Sequence, residues 1–311
     1  MHTETQDMIS QILKLKTEKN AVILGHYYIN SELQDISDFV GDSLQLSQQA
    51  AKTKADIIVF LGVYFMAETA KILSPDKKVL IPDPASGCSL ADSCNAFEFE
   101  KYLKNYPGYT VVSYVNTSAE IKALSDIIVT SSNAMKIINT LPKDEKIIFA
   151  PDRNLGNYIN SITGRNMLLW NGACHVHEQF SVEAIINYKK QYPDALVLAH
   201  PECEKTVQVL ADFIGSTNAL LSYSIKSESK TFIIATESGI LHQMKKNSPE
   251  KLFIPVPSID SSCGCNDCSF MKLNTIEKLY KCLLNEYYEV LVNEEISRKA
   301  RTSIERMLLL S

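Results

Sequence analysis

AVILGHYY at 21–28, VVSYVNTS at 111–118 and VLAHPECE at 197–204 are one pattern written three times. Each is a short apolar run that stops in a polar group: His26-Tyr27-Tyr28, Asn116-Thr117-Ser118 and His200-Pro201-Glu202. Behind each follow three more runs in the same order. DFVGDS (38–43), DIIVTS (126–131) and DFIGST (212–217) open on an aspartate and close on a hydroxyl, at Ser43, Ser131 and Thr217. IIVFLG (57–62), IIFAPD (147–152) and FIIATE (232–237) come next, then VLIPDP (79–84), MLLWNG (167–172) and LFIPVP (252–257). A cysteine follows each fourth run: Cys88, Cys174, and the group Cys263, Cys265 and Cys268. The runs are continuously apolar rather than alternating, the mark of strands buried on both faces in parallel sheets covered by helices. A register that recurs three times is a repeat architecture, and it predicts three α/β units of about four strands each.

In open parallel sheets, ligands bind beyond the carboxyl ends of the strands. Three units with those ends facing one axis bring the polar groups, the hydroxyls and one cysteine per unit into a central cavity. The ends of the chain read as helix. Met8, Ile9, Ile12, Leu13 and Leu15 recur at roughly helical spacing, and 275–310 carries Ile276, Leu279, Leu283, Tyr287 and Leu291 three to four apart. The expected division is a first unit with the N-terminal helix at 1–105, a second at 106–190 and a third at 191–272. A C-terminal helical segment at 273–311 is expected to pack on the first unit, because its apolar stripe needs a partner.

The chain has 311 residues, 31 Lys+Arg against 36 Asp+Glu, 45% apolar and 22% charged residues, which is ordinary globular composition. The mild acidity gives no footprint for nucleic acid. No apolar run reaches the ~18 residues of a membrane span, and the polar N-terminus lacks a signal-peptide block. The reading is therefore cytoplasmic, with no nucleic acid and no membrane partner. In that reducing compartment eight cysteines serve as metal ligands, reactive thiols or small hydrophobes rather than disulfides. Cys88, Cys174 and Cys268, on three loops, suit a metal or cluster with one coordination position open. Cys265-x-x-Cys268 alone fits zinc, a redox pair or nothing. Cys94, Cys203 and Cys282 read as inert.

GHYY (25–28), GDS (41–43), GVYFMAETAKIL (62–73), NGACHVHEQF (171–180), AHPEC (199–203), GST (215–217) and C-x-x-C-x-x-M-K-L-N-T (265–275) together resemble the quinolinate synthase family, over about residues 20–285. One departure is Cys268-Ser269-Phe270-Met271, where the family usually has proline after the cysteine. The resemblance implies three pseudo-threefold-related α/β/α units around a central active site. It implies an iron–sulfur-dependent transferase of NAD biosynthesis that condenses iminoaspartate with dihydroxyacetone phosphate to quinolinate, releasing phosphate and two waters. It also implies a [4Fe–4S] cluster on Cys88, Cys174 and Cys268 with one open iron, and a functional link to L-aspartate oxidase as the iminoaspartate source.

On the same resemblance, Glu202 is the main proton-transfer carboxylate and Tyr28 a second acid/base. His26, Ser43, Tyr114 and Asn116 bind the dicarboxylate part, and Ser131 a carboxylate. His200, Ser216 and Thr217 take the phosphate end, where hydroxyls and backbone N–H groups at a strand-to-helix turn suit a dianion. His175 is expected to bond substrate or tune the cluster, and Lys226 to lie near the site. His177 reads as structural, and Cys263 and Cys265 as spare thiols. The rival readings are a zinc-dependent enzyme and a phosphate-ligand binding protein on the same scaffold.

Overall fold

A computed structural model of the chain describes residues 2–259 and 267–311. Its strands form three four-stranded parallel sheets. The first holds β1 (Ala21–His26), β2 (Phe39–Gly41), β3 (Ile57–Leu61) and β4 (Lys78–Leu80) in the order β2-β1-β3-β4. The second holds β5 (Thr110–Tyr114), β6 (Ile127–Val129), β7 (Ile147–Ala150) and β8 (Leu168–Leu169) in the order β6-β5-β7-β8. The third holds β9 (Leu196–Ala199), β10 (Phe213–Ile214), β11 (Thr231–Ala235) and β12 (Leu252–Pro255) in the order β10-β9-β11-β12. The same order recurs three times, with every ladder parallel. Helices cover the faces, so all five residues of β3 and all four of β7 are buried, as continuous apolar strands require.

Each strand is shorter than its apolar run at the carboxyl end, because the polar residues there leave the ladder for the centre of the molecule. The repeat also fixes how each central strand is held. The aspartates that open the second run each accept an N–H from the strand fifteen residues back. Asp38 takes Ile23 N–H at 2.8 Å, Asp126 takes Val111 N–H at 2.7 Å and Asp212 takes Val197 N–H at 2.7 Å. Their own N–H groups donate back to the carbonyls of the same residues at 2.8–2.9 Å. Leaving a buried donor unpaired costs roughly 1–3 kcal/mol, so these reciprocal pairs account for aspartate at all three positions.

The polar turn after each central strand has its own support. Gln34 donates to the carbonyls of Tyr27 and Ile29, and Gln208 to those of Pro201 and Cys203, across the same separations of seven and five residues. In the second unit the fully buried Lys122 takes this place and donates to Thr117 O.

The C-terminal segment departs from expectation in two ways. Its helix breaks: Ile276–Asn285 ends at Glu286, in the left-handed region at φ 57°, and a second helix runs Glu294–Leu310. Between them Val290 N–H donates to Val79 O and Ile81 N–H to Tyr288 O. The break therefore caps the open edge of β4, and a covered edge cannot pair with another chain. The two helices also part company. Ile276–Asn285 lies on the N-terminal helix His2–Glu18. Glu294–Leu310 packs chiefly on helix Ala119–Ala123 and β6 of the second unit, with a lesser contact to helix Tyr64–Leu73 of the first. The C-terminal segment thus joins two units instead of packing on the first alone. Ser303 Oγ donates to Lys122 O at 2.7 Å and the Arg301 guanidinium to Ile72 O at 2.6 and 3.1 Å.

Candidate active site

The carboxyl ends of β1, β5 and β9 meet around one cavity of about 70 Å³. Its wall includes His26, Tyr28 and Ser43 from the first unit, Tyr114, Asn116 and Ser131 from the second, and His200, Glu202 and Thr217 from the third. Cys88, Cys174 and Cys268 line the same cavity. The three cysteines occupy one structural position. Each is the N-cap of a four-residue helix: Ser89–Asp92, His175–Glu178 and Ser269–Lys272. All three backbones are extended, and no side-chain cap closes any of the three helices. Burial pushes Cys88 up to about 12, Cys268 up to about 11 and Cys174 well above its usual value. A bound cation would hold such thiols as thiolates.

Side chains from the three units form one hydrogen-bonded chain. The Tyr28 hydroxyl lies 2.7 Å from Thr217 Oγ1 and 2.8 Å from Thr236 Oγ1. Thr236 Oγ1 lies 3.0 Å from His177 Nε2. His177 Nδ1 lies 3.2 Å from Glu202 Oε2 and 3.3 Å from Cys174 Sγ. The Tyr114 hydroxyl donates to Glu202 Oε1 at 2.5 Å. Burial pushes Glu202 up, but His200 and His177, with the hydrogen bonds from His177 and Tyr114, outweigh it and hold the carboxyl low. Burial raises both tyrosines well above their ordinary value, with Glu202 adding to the effect. Burial also takes His26 and His200 down to about 3, so both imidazoles are neutral at neutral pH. They are held alike, each accepting a main-chain N–H at Nδ1: Tyr28 N–H at 3.2 Å and Glu202 N–H at 3.4 Å. In a neutral ring this leaves the proton on Nε2, and His200 Nε2 lies 3.3 Å from Ser131 Oγ. Glu202 is therefore a carboxylate set between the Tyr114 hydroxyl and the neutral imidazole of His200.

The family model for quinolinate synthetase A protein (NadA) matches residues 10–309. Among curated relatives, quinolinate synthase of Microcystis aeruginosa is 58% identical over 305 residues, covering 98% of this chain and 95% of its own length. That of Synechocystis sp. is 57% identical over 309 residues (99% and 97%), and that of Chloroherpeton thalassium 56% identical over 305 (98% and 95%). The chain belongs to the quinolinate synthase family.

Three of the residues expected at a quinolinate synthase site do not line the cavity, although His175 follows Cys174 directly. Ser216 stands behind the wall: it accepts Ala219 N–H at 3.3 Å as a helix cap, and its hydroxyl is 2.8 Å from Ser132 Oγ. His175 is half-buried with Nδ1 2.6 Å from Ser89 Oγ, and His177 lines the cavity in its place. Two helical residues two apart point about 200° from one another, so only one of this pair can face the centre. Lys226 is exposed at the last position of helix Thr217–Lys226. Thr217 at the first position faces the cavity, and nine residues of helix put Lys226 about 13 Å away along the axis.

Two wall residues, Asp42 and Glu237, were not anticipated. Asp42 accepts Ser132 Oγ–H at 2.6 Å, and burial raises its pKa. Asn116 Oδ1 is buried with no hydrogen-bond partner among the described residues, an acceptor open to a bound molecule. Glu237, at the end of FIIATE, also lines the cavity, and burial raises it to about 7. The acidic end of FIIATE was a visible signal for Glu237, and Cys174-x-x-His177 for the histidine. The ligand atoms of Cys174, His177 and Glu202 lie within 4.8 Å of one another and could hold a metal ion. Cys263 and Cys265 lie outside the described residues. Among those residues no helix is long and apolar enough to cross a membrane.

Proposed function

We propose that this chain is a quinolinate synthase: it condenses iminoaspartate with dihydroxyacetone phosphate to quinolinate, releasing phosphate and two waters, in NAD biosynthesis. The carrying observation is the convergence of three equivalent strand ends and three equivalent N-capping cysteines on one buried cavity. Cys88, Cys174 and Cys268 would be the donor set for a [4Fe–4S] cluster, since three thiols at equivalent N-cap positions around one cavity leave one iron open. When bound, that cluster supplies a Lewis acid that helps a substrate hydroxyl leave.

The protein groups supply the rest. Glu202, a carboxylate held by Tyr114 and His177, removes protons from carbon during isomerisation and dehydration. Tyr28, neutral because of burial, gives a proton to an oxygen at the opposite wall. His26 Nε2–H, Ser43 and the Tyr114 hydroxyl suit the oxygens of the dicarboxylate, and Asn116 Oδ1 suits an imine or hydroxyl hydrogen. Ser131, His200 and Thr217 form the side that suits carboxylate and phosphate oxygens. Iminoaspartate comes from L-aspartate oxidase, a functional link, and the enzyme works in the cytoplasm. The test is an anaerobic assay with iminoaspartate generated in place and dihydroxyacetone phosphate added. Quinolinate and phosphate should appear in equal amounts, and phosphate release without quinolinate would overturn the reading.

A further inference from the structure

Glu237 is fully buried, and its oxygens are spent on the turn that carries Cys268 and on Gly239, which packs against Tyr28 of the first unit. Its Oε1 accepts the Cys268 main-chain N–H at 3.1 Å and faces Lys272 Nζ at 3.0 Å. Its Oε2 accepts Gly239 N–H at 2.7 Å. Lys272 Nζ also donates to Tyr28 O at 2.8 Å. Gly239 closes the arrangement, because a Cβ there would stand 2.7 Å from Tyr28 Cα and 2.8 Å from Glu237 Oε2. One carboxylate thus fixes the third cysteine and the backbone of Tyr28 relative to each other, across two units.

The repeat offers a comparison. Asp152 is the acid at the equivalent strand end of the second unit, and the Cys174 N–H faces its carboxylate. The first unit has Gly62 at that position, and its cysteine loop is tied by Tyr64 N–H donating to Ser86 O at 2.7 Å and by Asp83 Oδ1 accepting Ala85 N–H at 2.8 Å. An acid behind the cysteine turn is therefore a device of two units out of three, and only in the third is it joined to a lysine that reaches the opposite wall.

We propose that Glu237, with Lys272, is a positioning residue that sets the Cys268 sulfur against the cavity and so governs how firmly the cluster is held on that side. This rests on the cluster reading of the site. In Glu237→Gln the amide nitrogen must face one of the two N–H donors, so the turn loses one hydrogen bond and its ion pair together. Lys272→Met keeps both N–H bonds and removes the cation together with its hydrogen bond to Tyr28 O.

The test uses the anaerobically reconstituted holoenzyme. Iron release to a ferrous chelator and the visible and electron-paramagnetic spectra of the cluster are followed for wild type, Glu237→Gln, Lys272→Met and the exposed control Glu228→Gln. The expected result is iron release at least ~10-fold faster in Glu237→Gln, smaller in Lys272→Met, with altered cluster spectra and an unchanged unfolding temperature; Glu228→Gln behaves as wild type. Iron release at the wild-type rate in a folded Glu237→Gln protein overturns the proposal. Should that variant not fold, wild-type release and spectra in Lys272→Met overturn it equally. A wild-type protein that takes up no iron and sulfide fails at the earlier step, and then the cluster reading itself falls.

Discussion

His177 Nδ1 stands 3.2 Å from Glu202 Oε2, so the buried carboxylate of the third unit is held by an imidazole delivered on the cysteine turn of the second. Through Nε2 the same ring reaches Thr236 and then Tyr28. The two groups assigned to move protons are therefore joined at opposite ends of one hydrogen-bonded chain.

Glu202→Gln keeps the shape and loses the base. Positioned acid–base groups contribute ~10²–10⁴-fold in rate, and a loss in that range is expected with the cluster intact. Turnover and iron content measured on the same preparation decide this; near-normal turnover in a cluster-replete variant would assign the work to another residue.

The two histidines of the Cys174 turn should behave oppositely. His177→Ala removes a hydrogen-bond partner of Glu202 and should lower kcat/KM by ~10² or more. His175→Ala, which loses the Ser89 hydrogen bond and the edge contact with the Phe270 ring, should stay within a few-fold. Steady-state kinetics on both variants check the exchange.

Thr236→Val preserves volume and cuts the link between Tyr28 and His177. A fall in kcat of about ~10-fold is expected from loss of one link in a proton-moving chain, with KM little changed and Thr236→Ser restoring the rate. Equal activity in the valine and serine variants would show that the link is structural.

Stability should fall in acid earlier than carboxylates alone would cause. His26 and His200 sit at about 3 in the folded chain against 6.5 for the free side chain. Between those values the unfolded chain binds protons that the folded chain refuses. Their contribution is fully present above pH 6.5 and drains as pH falls toward 3, at up to about 1.4 kcal/mol per pH unit for each histidine. Denaturant midpoints at pH 7.5 and 5.5 should differ accordingly; equal midpoints would mean that these imidazoles protonate freely in the folded state.

The fold was legible because the pattern repeats. Asp38, Asp126 and Asp212 begin equivalent runs, and each clamps its strand at the same separation of fifteen residues. The polar ends His26, Asn116 and Glu202 mark where each strand leaves its ladder. What stayed hidden had no periodic signature. Leu284, Tyr287 and Leu291 continue helical spacing straight through the break at Glu286, because that break is set by pairing with the edge of β4, a tertiary event. His175 and His177 are indistinguishable by spacing until a four-residue helix decides which faces inward. Lys226 was placed near the site by the family resemblance alone, and the length of its helix carries it to the surface.

The central claim is that Cys88, Cys174 and Cys268 jointly hold one [4Fe–4S] cluster. The most direct measurement is iron and acid-labile sulfide per chain after anaerobic purification, on wild type, on each single Cys→Ser variant at these positions, and on the Cys263→Ser/Cys265→Ser double variant. The account predicts about four of each in wild type, near-wild-type content in the double variant, and loss of the chromophore in all three single variants. Zinc without sulfide in wild type, or full cluster content in Cys88→Ser, would contradict it.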